Sequence, residues 1–170
     1  MQFPLPPGQA AWFALTVKPR HEKSVAAGLA RLGFEAYLPL YPAKRRWSDR
    51  VKIVSLCLFP GYLFCRFGYD RCLQVLNQPG VSSVVGFGSS PVPVPEEQIA
   101  AIRRLLASGS SVLPWPFLKL GQRVRIRAGA LAGIGGILAK EKDIWRVVVN
   151  VELLQRSVAV EIDRDLIEPA

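Results

Sequence analysis

Residues 58–64 have the sequence LFPGYLF and lie within an apolar part of the chain. Pro60-Gly61 is a strong turn signal, so one β-strand is expected before this tight connection and another after it. In the strand after the turn, alternation places Tyr62 and Phe64 on one face and their neighbours on the other. One face has to fill a core, whereas the other either fills the core as well or forms an exposed aromatic groove.

The segments before this turn predict a strand, a helix and another strand. Residues 12–17 (WFALTV) are a short apolar run that is typical of a buried strand. Val25, Leu29 and Leu32 recur at helical spacing, and Gly33 is placed to end that helix. The alternating aromatic segment that follows, FEAYLPLY, favours a second strand.

The segments after the turn complete an α+β pattern. A short helix is expected at residues 70–76, a strand at 81–87, and then an amphipathic helix with Ile99, Ile102 and Leu106 on one face. The order strand, helix, strand, strand, helix, strand, helix is the ferredoxin-like split βαβ plan with one extra helix. The β-region around residues 41–60 could form an inserted hairpin.

The character of the sequence changes near residue 108. Residues 108–116 (SGSSVLPWP) are rich in Ser, Gly and Pro and carry no charge, as linkers often do. Residues 117–170 hold short strands separated by glycine-rich turns, which predicts a small β-barrel. We therefore expect an N-terminal domain over residues 10–107, a linker and a C-terminal barrel. The many β-branched residues of the last part argue against a helical form of it.

Positive charge is concentrated in the N-terminal part. The chain has 22 Lys and Arg against 13 Asp and Glu, and residues 1–107 contain 13 of these cations and 6 of these acids. The net charge of +9 favours polyanionic partners or an acidic protein surface. A nucleic-acid contact is therefore sought first in residues 1–107.

Two groups of cations are candidates for such a contact. The first group surrounds Trp47 and consists of Lys44, Arg45, Arg46, Arg50 and Lys52. It can bind phosphates while Trp47 stacks on a base or packs under the loop, or it can be a solvated hairpin tip. The second group lies where a strand becomes a helix and consists of Lys18, Arg20 and Lys23. Cations beside the free amides of a helix start suit phosphate contact.

The residue inventory argues against an enzyme, a metal site and a membrane protein. The chain has one His, and its three Cys include no C-x-x-C pair, so no catalytic constellation, zinc site or cofactor is expected. The cysteines are expected to be reduced thiols. The first ten residues lack a secretory signal pattern, and no apolar stretch suits a membrane-spanning helix. A cytoplasmic protein is expected.

Four segments, in this order and spacing, resemble the NusG family of transcription factors. They are WFALTVKPRHEK at 12–23, LFPGYLF at 58–64, PGVSSVVGFG at 79–88, and GQRVRI with GALAGIGG at 121–136. The last pair looks like a KOW motif. The resemblance covers nearly the whole chain and implies an NGN domain joined to an SH3-like KOW barrel. LFPGYLF and the GFG-containing strand are similar to those of the specialised UpxY and RfaH-type antiterminators, and KRRWSDR and LLQRSVAVEI look like the UpxY type.

The resemblance implies binding to RNA polymerase rather than catalysis. A monomeric elongation and antitermination factor is expected to dock on the clamp helices of the largest catalytic subunit. It would suppress pausing or termination on particular long operons, such as polysaccharide clusters. The implied docking residues are Trp12, Phe59, Pro60, Tyr62 and Phe64.

The resemblance also implies contacts to DNA and to a second partner. The implied contacts to the non-template strand are Arg71, Gln74 and Gln78, beside the cations Lys18, Arg20, Lys44, Arg45 and Arg46. Pro79 departs from the RfaH pattern, which has a basic residue there, so the resemblance does not by itself imply an RfaH-like sequence-specific DNA target, while Arg71, Gln74 and Gln78 remain candidates. Leu131 and Ile134 correspond to family positions near a contact with a small-subunit ribosomal protein or a termination factor, or else they are barrel core.

A second class of function stays open, which is a stand-alone KOW-type RNA- or DNA-binding protein such as a ribosome-associated one. Such a protein would bind nucleic acid tightly by itself, with steep salt dependence. An elongation factor would bind free nucleic acid weakly and polymerase firmly.

Overall fold

The computed structural model describes residues 5–118 and 121–170 of the chain. The chain folds into two compact units, each formed from two segments. The first unit holds the residues up to Pro39 and Phe59–Glu97, and the second holds Leu40–Leu58 and Gln98–Ala170. The predicted domain boundaries at 107 and 117 stay a prediction, and positions 119 and 120 of the predicted barrel lie outside the described residues.

The described chain contains three α-helices and fifteen short strands. In chain order they are β1 Ala11–Val17, α1 Glu22–Arg31, β2 Glu35–Tyr37, β3 Leu40–Trp47, β4 Arg50–Cys57, β5 Tyr62–Phe67, α2 Cys72–Leu76, β6 Val81–Val84, β7 Gly86–Phe87, β8 Ser90–Pro91, β9 Pro93–Val94, α3 Glu96–Ala107, β10 Val112–Trp115, β11 Arg123–Ile126, β12 Gly135–Glu141, β13 Ile144–Val151, β14 Arg156–Glu161 and β15 Ile167–Pro169. The mixed α+β class is therefore confirmed. None of the helices found in the described residues has both the length and the apolarity needed to cross a membrane.

The first unit is built on an antiparallel sheet in the order β2-β5-β1-β6, with β9 also paired to β1. Alternate residues of β1 and β5 point to one face and form its core with residues of the two helices. The buried members of that core are Phe13, Leu15, Val17, Val25, Leu29, Phe34, Leu63, Cys65, Phe67 and Val75. The rings of Phe13 and Phe67 lie 4.6 Å apart. The strands predicted on both sides of Pro60-Gly61 are thus confirmed.

Helix α1 ends where the sequence predicts, but its buried face is shorter. Gly33 has φ of +85°, a left-handed conformation that glycine adopts without strain. Because the helix ends at Arg31, Leu32 turns outward and is 42% exposed. The prediction that Leu32 shares the buried face of Val25 is therefore wrong, and Phe34 fills the core instead.

The second unit begins with the hairpin that β3 and β4 form as a separate two-stranded sheet. Its residues become more exposed away from the base, and every residue from Lys44 to Ile53 is exposed. Helix α3 buries Ile99, Ile102 and Leu105. Leu105 replaces the predicted Leu106, which is half-buried, because the buried face is rotated toward Leu105.

The rest of the second unit is an antiparallel sheet in the order β10-β14-β13-β12-β11-β15. The predicted strands are confirmed, and the segments from Ile144 to Val151 and from Arg156 to Glu161 are extended rather than helical. The sequence assigns residues 112–115 to a linker, but they form β10 and pair with β14. At Gly136 a Cβ would collide with the carbonyl oxygen of Val148, so the approach of β12 to β13 requires glycine.

One buried cation, Arg146 of β13, forms ion pairs with acids on the neighbouring strands of this sheet. Arg146 is 7% exposed and forms ion pairs with Glu141 at 2.9 Å and with Glu161 at 3.3 Å. Its guanidinium also lies 4.9 Å from the centre of the Trp115 ring. A buried charge is tolerated only when it is paired, and two carboxylates meet that condition here.

The three cysteines all lie within the described residues, and none of them is joined in a disulfide. Burial raises the pKa of the Cys65 thiol to about 12, with Arg71 opposing the shift and Glu35 adding to it. Burial also raises the pKa of Cys72. Both thiols therefore stay protonated near neutral pH, where a thiol is a poor nucleophile.

We predict that Phe13→Ala lowers the free energy of unfolding by about 3–5 kcal/mol, because it removes a fully buried ring from the core. Urea denaturation measures this change. Leu73→Ala is the control, because Leu73 is 74% exposed and the expected change is within about 0.5 kcal/mol. Equal losses in the two variants would contradict the core as described.

We predict that Cys65 is the slowest of the three thiols to react with iodoacetamide in the folded protein at about pH 8. The cause is its burial and its raised pKa. Mass spectrometry of the alkylated peptides measures the rates, and labelling in guanidinium provides the reference in which all three react. Fast alkylation of Cys65 without denaturant would show that β5 is not packed as described.

Candidate functional site

The LFPGYLF segment turns at Gly61, which has φ of +82°. The amide N–H of Gly61 donates to Oε1 of Glu22 at 3.1 Å, and its carbonyl oxygen accepts from the amide of Val17 at 2.9 Å. Glu22 is buried at the start of α1. The turn is therefore fixed to both the end of β1 and the first turn of α1.

The aromatic face beyond this turn is mostly buried. Phe64 has no exposed surface and packs edge-to-face on Phe59 at 5.9 Å and stacks on Tyr37 at 6.4 Å. Trp12 and Phe59 are each 2% exposed. β5 is an inner strand of its sheet, and both of its faces contribute buried residues, Leu63 and Cys65 on one and Phe64 on the other.

The predicted docking residues are thus divided between core and surface. Pro60 is exposed and Tyr62 is half-buried, so these two are accessible. Trp12, Phe59 and Phe64 contribute to the core in this structure. Their role in docking stays a prediction, and Tyr37 is a neighbour of Phe64 that the sequence did not point to.

The basic hairpin divides its cations between two faces. Residues directly paired across antiparallel strands share a face, and Arg45 pairs with Lys52 while Trp47 pairs with Arg50. That face, called the indole face below, therefore consists of Arg45, Trp47, Arg50 and Lys52. The opposite face, called the aliphatic face, consists of Lys44, Arg46, Val51 and Ile53. The side chain of Trp47 is 62% exposed, so it does not pack under the loop.

The cations at the start of α1 also face solvent. Lys18 and Arg20 are exposed, and Arg20 adopts φ of +66°. The amide of Lys18 donates to the carbonyl oxygen of Gly80 at 2.9 Å, which ties this corner to the residue before β6. Nδ1 of His21 lies 2.9 Å from the carbonyl oxygen of Pro19, and these two atoms form a local hydrogen bond.

Arg71 and Gln78 make contacts within the fold. The Arg71 guanidinium stacks 4.0 Å from the centre of the Phe34 ring and donates to Oε1 of Gln74 at 3.0 Å. It also donates to the carbonyl oxygen of Leu32 at 3.4 Å. The side chain of Gln78 fills the space beside Gly28 of α1, so that a Cβ at Gly28 would collide with it.

The glycine-rich loop of the C-terminal part buries both predicted partner residues, since Leu131 is 3% and Ile134 is 5% exposed. Gly129 and Gly133 have φ of +85° and +87°, as tight turns require. The amide of Gly133 donates to the carbonyl oxygen of Ile126 at 2.7 Å. The two apolar side chains therefore point inward.

A cation that the sequence did not single out holds this loop. Arg104 of α3 donates from Nη2 to the carbonyl oxygens of Ala130 and Ala132, both at 2.8 Å. In the sequence, Arg104 is only a basic residue on the exposed side of an amphipathic helix. That pattern does not predict hydrogen bonds to carbonyl groups that lie 26 and 28 residues further along the chain. In the described part of the chain, no group of three or more His, Cys, Asp or Glu is placed to hold a metal ion.

The fold and these surfaces define a basic α+β protein whose accessible features are a rigid aromatic turn and a cationic hairpin. The family model described as "Transcription termination factor nusG" matches residues 10–103. That match covers more than half of the chain, which therefore belongs to the NusG family.

Individual relatives agree with this assignment. The chain is 25% identical over 176 residues to the transcription termination/antitermination protein NusG of Staphylococcus aureus, covering 95% of this chain and 96% of the relative. It is 26% identical over 125 residues to the protein of that name from Helicobacter pylori, covering 71% of this chain and 70% of the relative. The solved structure titled "Domain interaction in Thermotoga maritima NusG" has a TM-score of 0.58, is 22% identical, and covers 95% of this chain and 97% of that one. This structural likeness bears on the fold.

We predict that Arg71→Ala lowers the free energy of unfolding by about 1 kcal/mol, because it removes the stack on Phe34 and two hydrogen bonds. Urea denaturation measures the change. Lys23→Ala is the control, since Lys23 is an exposed cation. If the two variants are equally stable, the contacts of Arg71 are not maintained in solution.

Proposed function

We propose that this protein is a transcription elongation and antitermination factor that binds the clamp helices of the largest catalytic subunit of RNA polymerase. The observation that carries the proposal is its membership of the NusG family. It is proposed to act in the cytoplasm as a monomer and to suppress pausing and termination.

The docking surface is proposed to centre on Pro60 and Tyr62. Both are accessible, and Gly61 between them is held by Glu22 and Val17, so the surface is preorganised. Preorganised groups lose less conformational entropy on binding, and tyrosine is a common anchor in protein interfaces. Phe59 and Phe64 are proposed to support this surface from below.

The DNA contact is proposed to involve the non-template strand. Lys18, Arg20 and Gln74 are exposed and suit a contact with phosphates or bases. Arg71 and Gln78 are proposed to shape this region, because their side chains already bind within the fold. The hairpin adds Lys44, Arg45 and Arg46, which are exposed cations.

The finer assignments are proposals of the same kind. The sheet order β2-β5-β1-β6 supports a ferredoxin-like NGN domain, and the antiparallel sheet of β10–β15 supports an SH3-like KOW barrel. LFPGYLF, KRRWSDR and LLQRSVAVEI favour a specialised UpxY or RfaH-type factor that acts on long operons, such as polysaccharide clusters. The KOW loop around Leu131 and Ile134 is proposed to meet a small-subunit ribosomal protein or a termination factor.

The overall proposal is tested by transcription in vitro on a long template that contains pause sites and a terminator, with and without the full chain. Shorter pauses and more read-through are expected. A protein that leaves both unchanged and binds RNA tightly without polymerase would instead be a stand-alone nucleic-acid-binding protein.

We predict that Tyr62→Ala weakens the binding of the full chain to core RNA polymerase by about tenfold or more, because an anchoring aromatic is lost. Biolayer interferometry with immobilised polymerase measures the affinity, and circular dichroism checks the fold. Phe64→Ala does not serve this purpose, because Phe64 is fully buried and its loss destabilises the core.

Phe87→Ala is the matched control for Tyr62→Ala. Phe87 is an aromatic residue at 77% exposure on the short β7–β8 hairpin, outside the proposed surface. Its removal is expected to leave the affinity within about twofold. Equal losses in both variants, or none in Tyr62→Ala, would remove Tyr62 from the docking surface.

A further inference from the structure

The indole face of the hairpin carries three cations that have no acidic partner among the described residues. Arg45 and Lys52 are directly opposite each other, where side chains are about 5 Å apart and like charges repel. Among residues 5–118 and 121–170, no ion pair that joins Arg45, Arg50 or Lys52 to an acid is found. The hairpin's one acid, Asp49, lies in its turn and accepts from the hydroxyl of Ser48 at 3.2 Å. Such uncompensated positive charge costs stability unless a polyanion binds there.

Trp47 gives the same face a flat aromatic surface. Its side chain is 62% exposed, although a large apolar side chain in a folded protein is ordinarily covered. Its direct neighbour across the hairpin is Arg50, and Arg45 lies two residues before it on the same strand, about 6.8 Å away. The indole is therefore surrounded by cations at short intervals.

We propose that the indole face binds single-stranded nucleic acid, with Trp47 stacking on an unpaired base and Arg45, Arg50 and Lys52 contacting the phosphates beside it. Cationic grooves that carry exposed aromatic residues bind single strands in this way, because every base has a face available for stacking. This proposal rests on the proposed function. It adds that the hairpin binds a single strand and that the binding surface is the indole face.

The arrangement favours a single strand over a duplex and over an acidic protein. In a duplex the bases are stacked on each other, so the indole could not stack on a base without opening the helix. An acidic protein surface would be matched better by the aliphatic face, where Val51 and Ile53 lie beside Lys44 and Arg46. Those two apolar side chains are 62% and 67% exposed and offer no stacking plane.

The test uses the full chain and a fluorescein-labelled oligothymidylate, with fluorescence anisotropy over a range of salt concentrations. Trp47→Ala is expected to weaken binding by about tenfold. Trp47→Phe, which keeps a stacking ring, is expected to weaken it by less than about threefold. All substituted residues are exposed, so the fold is expected to persist, and circular dichroism checks it.

The two faces provide a charge-matched comparison. Arg45→Ala combined with Lys52→Ala is expected to reduce the slope of log Kd against log salt by about 1.4, since each lost phosphate contact on a single strand removes about 0.7. Lys44→Ala combined with Arg46→Ala removes the same charge from the opposite face of the same hairpin and is expected to reduce the slope by less than about 0.7, because these two cations do not lie beside Trp47. Ile53→Ala is the corresponding control for Trp47→Ala.

Three results would overturn the proposal. They are an unchanged affinity in Trp47→Ala, equal slopes in the two double variants, and tighter binding of a duplex of matched length than of the single strand. Binding of the same variants to polymerase is measured in parallel. If the chain binds polymerase but not the oligonucleotide, the proposed role of the indole face is wrong and the proposed function stands. If the chain binds the oligonucleotide but not polymerase, the proposed function is wrong.

Discussion

Glu22 holds the turn at Gly61 with a single buried carboxylate. It accepts the Gly61 amide, while the Gly61 carbonyl accepts the amide of Val17. These two hydrogen bonds tie the start of β5 to the end of β1 and to the first turn of α1, so they fix the pairing that runs from Thr16–Tyr62 to Ala11–Phe67. A slip of one residue would move every side chain of β5 to the opposite face and expose the core. The core of the first unit and its accessible aromatic edge both depend on this register.

The aromatic segment contains buried residues and, separately, the accessible residues that we propose for docking. Phe59 and Phe64 are buried against each other and against Tyr37, which makes the base of the segment rigid. Pro60 and Tyr62 remain at the surface of that base. A surface residue on a rigid support binds with little loss of entropy, so burial of Phe59 and Phe64 suits the docking role that we propose for Pro60 and Tyr62.

The second unit contains one buried, paired cation and a group of exposed cations without acidic partners among the described residues. Arg146 is buried and neutralised by Glu141 and Glu161, so its charge is used within the sheet. On the hairpin, Arg45 and Lys52 face each other in solvent, and no acid of the described chain pairs with them. A protein gains no stability from the second arrangement, which is therefore better explained by an external partner than by folding.

Local signals in the sequence were enough to determine the α+β class, most of the elements, the hairpin and the strands of the C-terminal part. Pro60-Gly61 and the helix-ending Gly33 are such signals, because their conformational preferences act wherever they occur. The same signals could not determine that Phe64, Leu131 and Ile134 are buried, because exposure depends on what covers each face of a strand or loop. Only the tertiary structure also decided that Arg50 and Lys52 of β4 share a face with Trp47 of β3, since that follows from the pairing register between the two strands.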